Sequence, residues 1–339
     1  MHKNYHGEIL QEQKKVKLDL KDRRILSELS ENARYSLTSI GKSTNLSKEV
    51  VRNRVNNLTE KGVIYGYISE FNWNKLGLLN TKICLKLKSF SDETQIIDQL
   101  KKEENIRRIQ TCFGHWDLTL MVTTNDIKAY EKTYNKIIRI LDRNIFDYLI
   151  LNQTHEEYLG LKFLIPEKNK IAKRNPGSFH KEFKKPAPEK DYRLDRTDKE
   201  VLNILAKDAK ISILELSEKI NLSTTASFHR VKKLVLHKYI LNFFFTGSLS
   251  HLGYQWYKVF FRIKSDNETR FISFLRNHPN ITWFNKYIGE WNYQISVFTK
   301  NDIELSSILK ELRTEFKDEI ITFEPFLVLN QHKSVPKIK

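Results

Sequence analysis

Residues 44–66 read Thr44-Asn45-Leu46-Ser47-Lys48-Glu49-Val50-Val51-Arg52-Asn53-Arg54-Val55-Asn56-Asn57-Leu58-Thr59-Glu60-Lys61-Gly62-Val63-Ile64-Tyr65-Gly66. Ser47 is a good N-cap, because its hydroxyl can accept from an amide left unpaired in the first turn of a helix. Val51, Val55 and Leu58 then recur at spacings of four and three, one buried stripe of a helix reaching about Lys61. Gly62 stands where a left-handed C-terminal cap needs glycine. Upstream, Ile25, Leu26 and Leu29 predict a first helix from Asp22, and a second runs from Leu37 to Ser43, with Thr44-Asn45-Leu46 as a tight turn. Val63, Tyr65 and Tyr67 begin a strand or wing. Three short helices, a tight turn and a wing make a winged helix-turn-helix, a module that places its third helix in the major groove of DNA. The solvent side of that helix carries Lys48, Glu49, Arg52, Asn53, Asn56 and Asn57, and arginine suits guanine as asparagine suits adenine. Ser47, Lys48 and Arg54 suit phosphate, which sets register rather than sequence. The bland alternative is an ordinary solvated helix face.

The same pattern returns 176 residues later. Leu18-Asp19 with Asp22 recurs as Leu194-Asp195 with Asp198, Leu46-Ser47 as Leu222-Ser223, Arg54-Val55 as Arg230-Val231, and Leu76-Gly77 as Leu252-Gly253. Gly114-His115-Trp116-Asp117 recurs as Gly289-Glu290-Trp291-Asn292 at a shift of 175. A period this long is a duplicated unit, not a solenoid of short repeats. The second reading helix offers Ser223, Thr224, Thr225, Ser227, His229, Arg230, Lys232 and Lys233. Lys238 replaces Gly62 and Ser227 replaces the buried Val51, so the second head is expected to be altered, weaker or specialised.

The remainder of each copy alternates strand and helix. In copy one the strands are 82–88, 109–113, 118–123 and 145–151, and the helices run from Asp92 and from Asp126. That order is β-α-β-β-α-β, a ferredoxin-like sandwich with helices on one face. The fold class is therefore α+β, with two copies of a winged helix-turn-helix followed by a ferredoxin-like βαββαβ domain. The expected domains are 18–80, 81–160, 193–254 and 255–331, with a basic Pro/Lys linker at 161–192.

On Leu18-Asp19 with Asp22, Ile25-Leu26, Asn32-Ala33-Arg34, Leu46-Ser47, Val51, Arg54-Val55, Leu58, Gly62-Val63-Ile64, Gly66-Tyr67, Leu76-Gly77 and the Gly114-x-x-Asp117 turn, the chain resembles the leucine-responsive/AsnC-like (Lrp/AsnC) transcription regulators. The resemblance covers nearly all of each copy. It implies a DNA-binding head with an effector (RAM-type) domain, dimers or larger assemblies, and amino acids or related metabolites as effectors. The Gly114 and Gly289 turns are then candidate effector sites, with Gly114, His115, Asp117, Gly289, Glu290 and Asn292. Asp117 could accept from an effector ammonium group, whereas Asn292 brings no charge. A tight-turn role for the glycines and a packing role for Trp116 and Trp291 are the structural alternatives. The departure from the family is the fusion of two copies, which predicts a covalent pseudo-dimer, or a homo-oligomer built on the same surfaces, reading an asymmetric site.

Composition fits this reading. The 339 residues include 58 Lys+Arg against 41 Asp+Glu, a formal charge of +17. The excess avoids the effector regions, where 82–160 carries 12 positive and 12 negative residues and 255–331 carries 10 and 10. It falls on the heads (+3 and +4), the tails, and most heavily on the linker, at +5. Double-stranded DNA is the expected partner, with the linker as a sequence-blind contact or a solvated spacer. Two cysteines exclude a disulfide scaffold and fit a cytoplasmic location. No apolar run is long enough for a membrane span. No cofactor, metal site or catalytic residue is expected, since no metal, nucleophile or phosphate-loop motif occurs. Two alternatives remain: a nonspecific architectural DNA-binding protein, and a siroheme decarboxylase-like enzyme of the same architecture, for which His115 and Arg107-Arg108 would line a tetrapyrrole pocket.

Overall fold

The computed structural model describes residues 7–8, 15–89, 93–141, 144–165, 186–188, 192–264 and 268–334. Most of the expected linker, and most of both basic tails, lies outside them. The start of the linker is ordered structure: Lys162–Leu164 is a 3-10 turn, and Leu161 and Leu164 are buried. The chain forms two compact units, and each takes one part from each copy.

The first unit holds Val16–Leu76 and Phe163–Ser248. Head one consists of α1 (Leu20–Glu31), α2 (Leu37–Thr44) and α3 (Lys48–Glu60). Asp19 caps α1 in a capping box with Asp22, which starts the helix two residues before the sequence pattern does. Ile25, Leu26, Leu29, Ile40, Val51, Val55 and Leu58 form its core. Burying each such side chain contributes roughly 1.5–3 kcal/mol. Head two repeats this with α6 (Arg196–Lys207), α7 (Ile213–Lys219) and α8 (Thr224–Leu236). Gly62 takes φ 69°, and Lys238 keeps the same left-handed backbone at φ 59°, so the turn survives without glycine.

The strand expected after each reading helix is present, and the two pair with each other across the heads. β2 (Gly66–Phe71) of head one pairs antiparallel with β7 (Ile240–Thr246) of head two. Two reciprocal bonds flank this ribbon: Ala33 N donates to Phe243 O at 2.8 Å, and Ala209 N donates to Tyr67 O at 3.1 Å. Arg34 completes the clasp by donating to Ala209 O at 2.7 Å and Ile211 O at 3.0 Å, with its guanidinium 5.3 Å from the Phe243 ring. On the other side Lys210 Nζ lies 4.3 Å from the Tyr67 ring. Asn32-Ala33-Arg34 is thus a head-to-head fastening.

The second unit holds Gly77–Lys162 and Leu249–Ser334. Copy one runs β3 (Leu79–Leu87), α4 (Glu93–Lys102), β4 (Ile106–Phe113), β5 (Leu118–Thr124), α5 (Ile127–Leu141) and β6 (Ile145–Tyr158). Copy two runs β8 (Gln255–Ile263), α9 (Glu268–Asn277), β9 (Ile281–Ile288), β10 (Tyr293–Thr299), α10 (Asp302–Glu315) and β11 (Ile320–Ser334). Strand order is β4-β5-β3-β6 in one and β9-β10-β8-β11 in the other, the ferredoxin-like arrangement. The last strands are longer than the sequence pattern predicts. Their extensions cross to the other copy, with β6 pairing β9 and β11 pairing β4, so eight strands close on themselves. The short β1 (Gly7–Glu8) adds to β11.

Helices cover the outer faces over separate cores, one with Ile83, Leu85 and Ile137, the other with Phe261, Phe271 and Phe316. The inner faces meet over residues from both copies, including Cys84, Cys112, Trp116 and Leu151 with Phe260, Trp291 and Phe326. Trp116 and Trp291 are packing residues. Lys82 of β3 is also buried: it and its counterpart Lys258 are each 2% exposed, and Lys258 Nζ donates to Gln110 Oε1 at 2.7 Å. Burial pushes both ammonium groups below the ordinary lysine range.

Candidate nucleic-acid interface

The α3 face keeps Lys48, Glu49, Arg52, Asn53, Asn56 and Asn57 exposed, with Ser47 as its N-cap accepting from Val50 N at 3.2 Å. Val50 is also exposed, at 40%, in the first turn. Being apolar, it lacks the polar signature of a base contact in the sequence, although a valine here suits a thymine methyl. Its position three residues after the N-cap is the signal that could have found it.

Arg54 does not reach toward phosphate. Its guanidinium donates to Asp22 at 2.7 Å and Asp19 at 2.8 Å, tying α3 to the cap of α1. The hydrogen bond it donates to Asp22, then that to Asp19, raises its pKa further. Arg230 repeats the clamp on Asp195 and Asp198, both at 2.8 Å. Arg54, expected at phosphate, and Arg230, expected on the DNA-facing side of head two, are thus both held in ion pairs inside their own heads.

On α8, Ser223 is the N-cap, and Thr224, Thr225, His229 and Lys233 are exposed. Ser227 is fully buried and its hydroxyl donates to Ser223 O at 2.9 Å, so it leaves the reading face. This also explains how a serine replaces Val51: the hydroxyl finds its own backbone acceptor. Lys233 leans on Tyr192, with Nζ 3.8 Å from the ring. The exposed candidates on head two are thus Ser223, Thr224, Thr225, His229 and Lys233, against a longer and more polar face on head one.

The effector turns are built differently from the expectation. The Asp117 carboxylate accepts from Lys86 Nζ at 2.8 Å and from Leu87 N at 2.8 Å, so it is bound within its own copy. Asn292 does the same work, accepting from Ile263 N at 3.0 Å and donating to Ile263 O at 2.8 Å. Each glycine lies where the other copy's last strand comes close. A Cβ on Gly114 would lie 3.2 Å from Phe326 Cβ, and one on Gly289 would lie 2.6 Å from Leu151 Cδ2. Gly114, His115, Gly289 and Glu290 are exposed, and His115 Nδ1 is 3.9 Å from Glu324.

Arg107 and Arg108 both bind Glu156, at 3.2 and 3.3 Å, with side chains 7% and 18% exposed. The two arginines hold the Glu156 carboxyl at about 2 despite its burial, which by itself raises it. Among the described residues no group of three metal-ligating side chains occurs, and no helix is long and apolar enough to cross a membrane.

Comparison with known proteins agrees with this geometry. The winged helix-turn-helix DNA-binding family model matches residues 18–65 and 194–240. An uncharacterized HTH-type transcriptional regulator of Pyrococcus furiosus is 33% identical over 131 residues, covering 38% of this chain and 84% of that protein. The HTH-type transcriptional regulator Ptr1 of Methanocaldococcus jannaschii is 33% identical over 115 residues, covering 34% of this chain and 78% of that protein. In architecture the chain is similar to the siroheme decarboxylase NirDL, with a TM-score of 0.59, 10% identity and 94% of each chain covered. At that identity the likeness concerns the fold. The chain belongs to the HTH-type transcriptional regulators, in a form carrying two copies in tandem.

Proposed function

We propose that this chain regulates transcription by reading an asymmetric DNA site with two unlike heads. The observation that carries the reading is the pair of exposed, sequence-divergent faces of α3 and α8, on heads joined by the β2–β7 ribbon. An ordinary dimer offers two identical helices and reads a palindrome. Here Arg52, Asn53 and Asn56 face one half-site, while Thr225 and His229 face the other. The half-sites are spaced by about one DNA turn, ~34 Å, or a multiple. Lys48 and the basic linker supply sequence-blind contacts.

A small-molecule effector, such as an amino acid, fits this reading if it acts by differential affinity for two arrangements of the protein. Its polar contacts at the turns would fall to His115 and Glu290, because Asp117 and Asn292 are already bound. The reading assigns no catalytic step. The buried Arg107–Glu156–Arg108 group, offered by sequence as a tetrapyrrole contact, is internally neutralised to one positive charge.

The test is binding of a duplex library at rising salt. Lysine and arginine contacts release counterions, so affinity should fall by ~10³-fold or more between 50 and 200 mM salt if about six phosphates are engaged. A flat response contradicts DNA binding. A Soret-type absorbance on adding an iron tetrapyrrole, with no DNA binding, would favour an enzyme instead.

A further inference from the structure

The two effector copies diverge where the second helix crosses the last strand. Their buried positions align Thr133, Ile137 and Leu141 with Ile308, Leu312 and Phe316. On that alignment Tyr130 and Tyr134 of copy one correspond to Leu305 and Leu309 of copy two. Tyr148 and Phe323 also correspond, since they pair with the equivalent residues Leu85 and Phe261. In copy one the Tyr130 and Tyr134 rings stack at 6.1 Å, and these larger side chains, with Tyr148 beside Tyr134, occupy the corresponding surface. In copy two the leucines stop short. A groove of about 530 Å³ lies over Leu305, Leu309 and Phe323, beside a recess of about 360 Å³ along Ile320–Phe323.

The rim differs as well. Lys310, Arg313 and Lys317 stand where copy one has Asn135, Ile138 and Asp142. Arg313 lies 5.7 Å from the Phe323 ring, at the junction of groove and recess. Among the described residues none of the three cations makes an ion pair. Nearby acids are occupied: Glu315 and Glu319 bind Arg270, and Asp302 accepts from the Tyr257 hydroxyl. The result is an apolar floor under an uncompensated basic rim, present in one copy and closed in the other.

We propose that this groove is a binding site for a small amphipathic carboxylate, with its hydrocarbon body on Leu305, Leu309 and Phe323 and its anionic end on Arg313. The volume falls in the range of ligand pockets, ~300–1,000 Å³. Arginine's planar fork matches a carboxylate with two parallel hydrogen bonds. The site is independent of the DNA reading and would stand if that reading failed.

Titration calorimetry on the full chain with 4-phenylbutyrate and its neutral amide tests it. The acid is expected to bind with a Kd of about 1 mM or tighter, and the amide at least ~10-fold more weakly. Arg313→Gln, a surface change, should weaken the acid ~10-fold and leave the amide unchanged. Leu309→Tyr, which imports copy one's side chain, should abolish binding of both, with Leu305→Tyr as the second variant if the first melts early. No binding of the acid, equal binding of acid and amide, or full binding by either folded tyrosine variant overturns the proposal.

Discussion

One end of the closed sheet is charged where the other is neutral. In copy one, Glu156 on the β6 extension faces Arg107 and Arg108, while the corresponding residues of copy two are Gln331, Thr282 and Trp283. Gln331 accepts from Gln110 Nε2 at 2.9 Å instead of joining an ion group. The heads differ in the same manner: half-buried Glu28 of head one corresponds to Ile204 of head two, and the α3 face is longer and more polar than that of α8. Duplication supplied two copies of each surface. Fusion let each copy change its partner residues without matching the change in itself, which a dimer of identical chains cannot do.

The largest test of that contrast is the buried ion group. Glu156→Gln strands two guanidiniums and should cost ~3–5 kcal/mol in denaturant unfolding at pH 7, whereas Gln331→Ala should cost roughly 1 kcal/mol. Because the Glu156 pKa is held at about 2, its contribution is present above the unfolded carboxyl range and is lost as pH falls through about 2. Equal costs for the two substitutions would remove the asymmetry.

Lys82 and Lys258 are the place where the two copies remained alike, and there the likeness carries a cost. Both ammonium groups are buried side by side, so Lys82→Met with Lys258→Met should raise stability at pH 7 by ~1–3 kcal/mol. A loss of stability would show that the pair is net favourable.

The heads should separate in binding. Arg52→Ala with Asn53→Ala should cost ~1–3 kcal/mol at one half-site and relax its sequence preference. Thr225→Ala with His229→Ala should act on the other half-site. If both pairs affect the same bases, the assignment of one head to each half-site fails.

The smallest effect concerns Glu28, whose carboxyl burial pushes up to about 7, against the hydrogen bond with Ser43. A raised carboxyl pKa means that the folded state holds a proton the unfolded state releases. Stability therefore falls as pH rises from about 4.5 to 7. Glu28→Gln should flatten that slope and stabilise the protein at pH 8 by about 1–2 kcal/mol after allowance for partial solvent access, with no gain at pH 4. An unchanged slope would place the titration elsewhere.

Much of this organisation was legible in the sequence. Ser47, Val51, Val55 and Leu58 marked the reading helix, and the 176-residue repeat marked its second copy. The strand extensions were not legible. Asn152-Gln153-Thr154-His155-Glu156-Glu157-Tyr158 lacks a simple apolar alternation, because its pairing partner is β9 of the other copy and part of its buried surface is polar. Arg54 and Arg230 looked like surface cations for a related reason: their aspartates lie 32 and 35 residues away in sequence. Asp117 looked available for a ligand because its partners, Lys86 and Leu87, come from a strand 30 residues earlier.

Selection of bound sequences from random duplex DNA with the full chain decides whether two unlike heads read one asymmetric site. Two unlike half-sites at a fixed spacing are predicted, one altered by Arg52→Ala and Asn53→Ala. A palindrome, or no enrichment at all, would contradict the account.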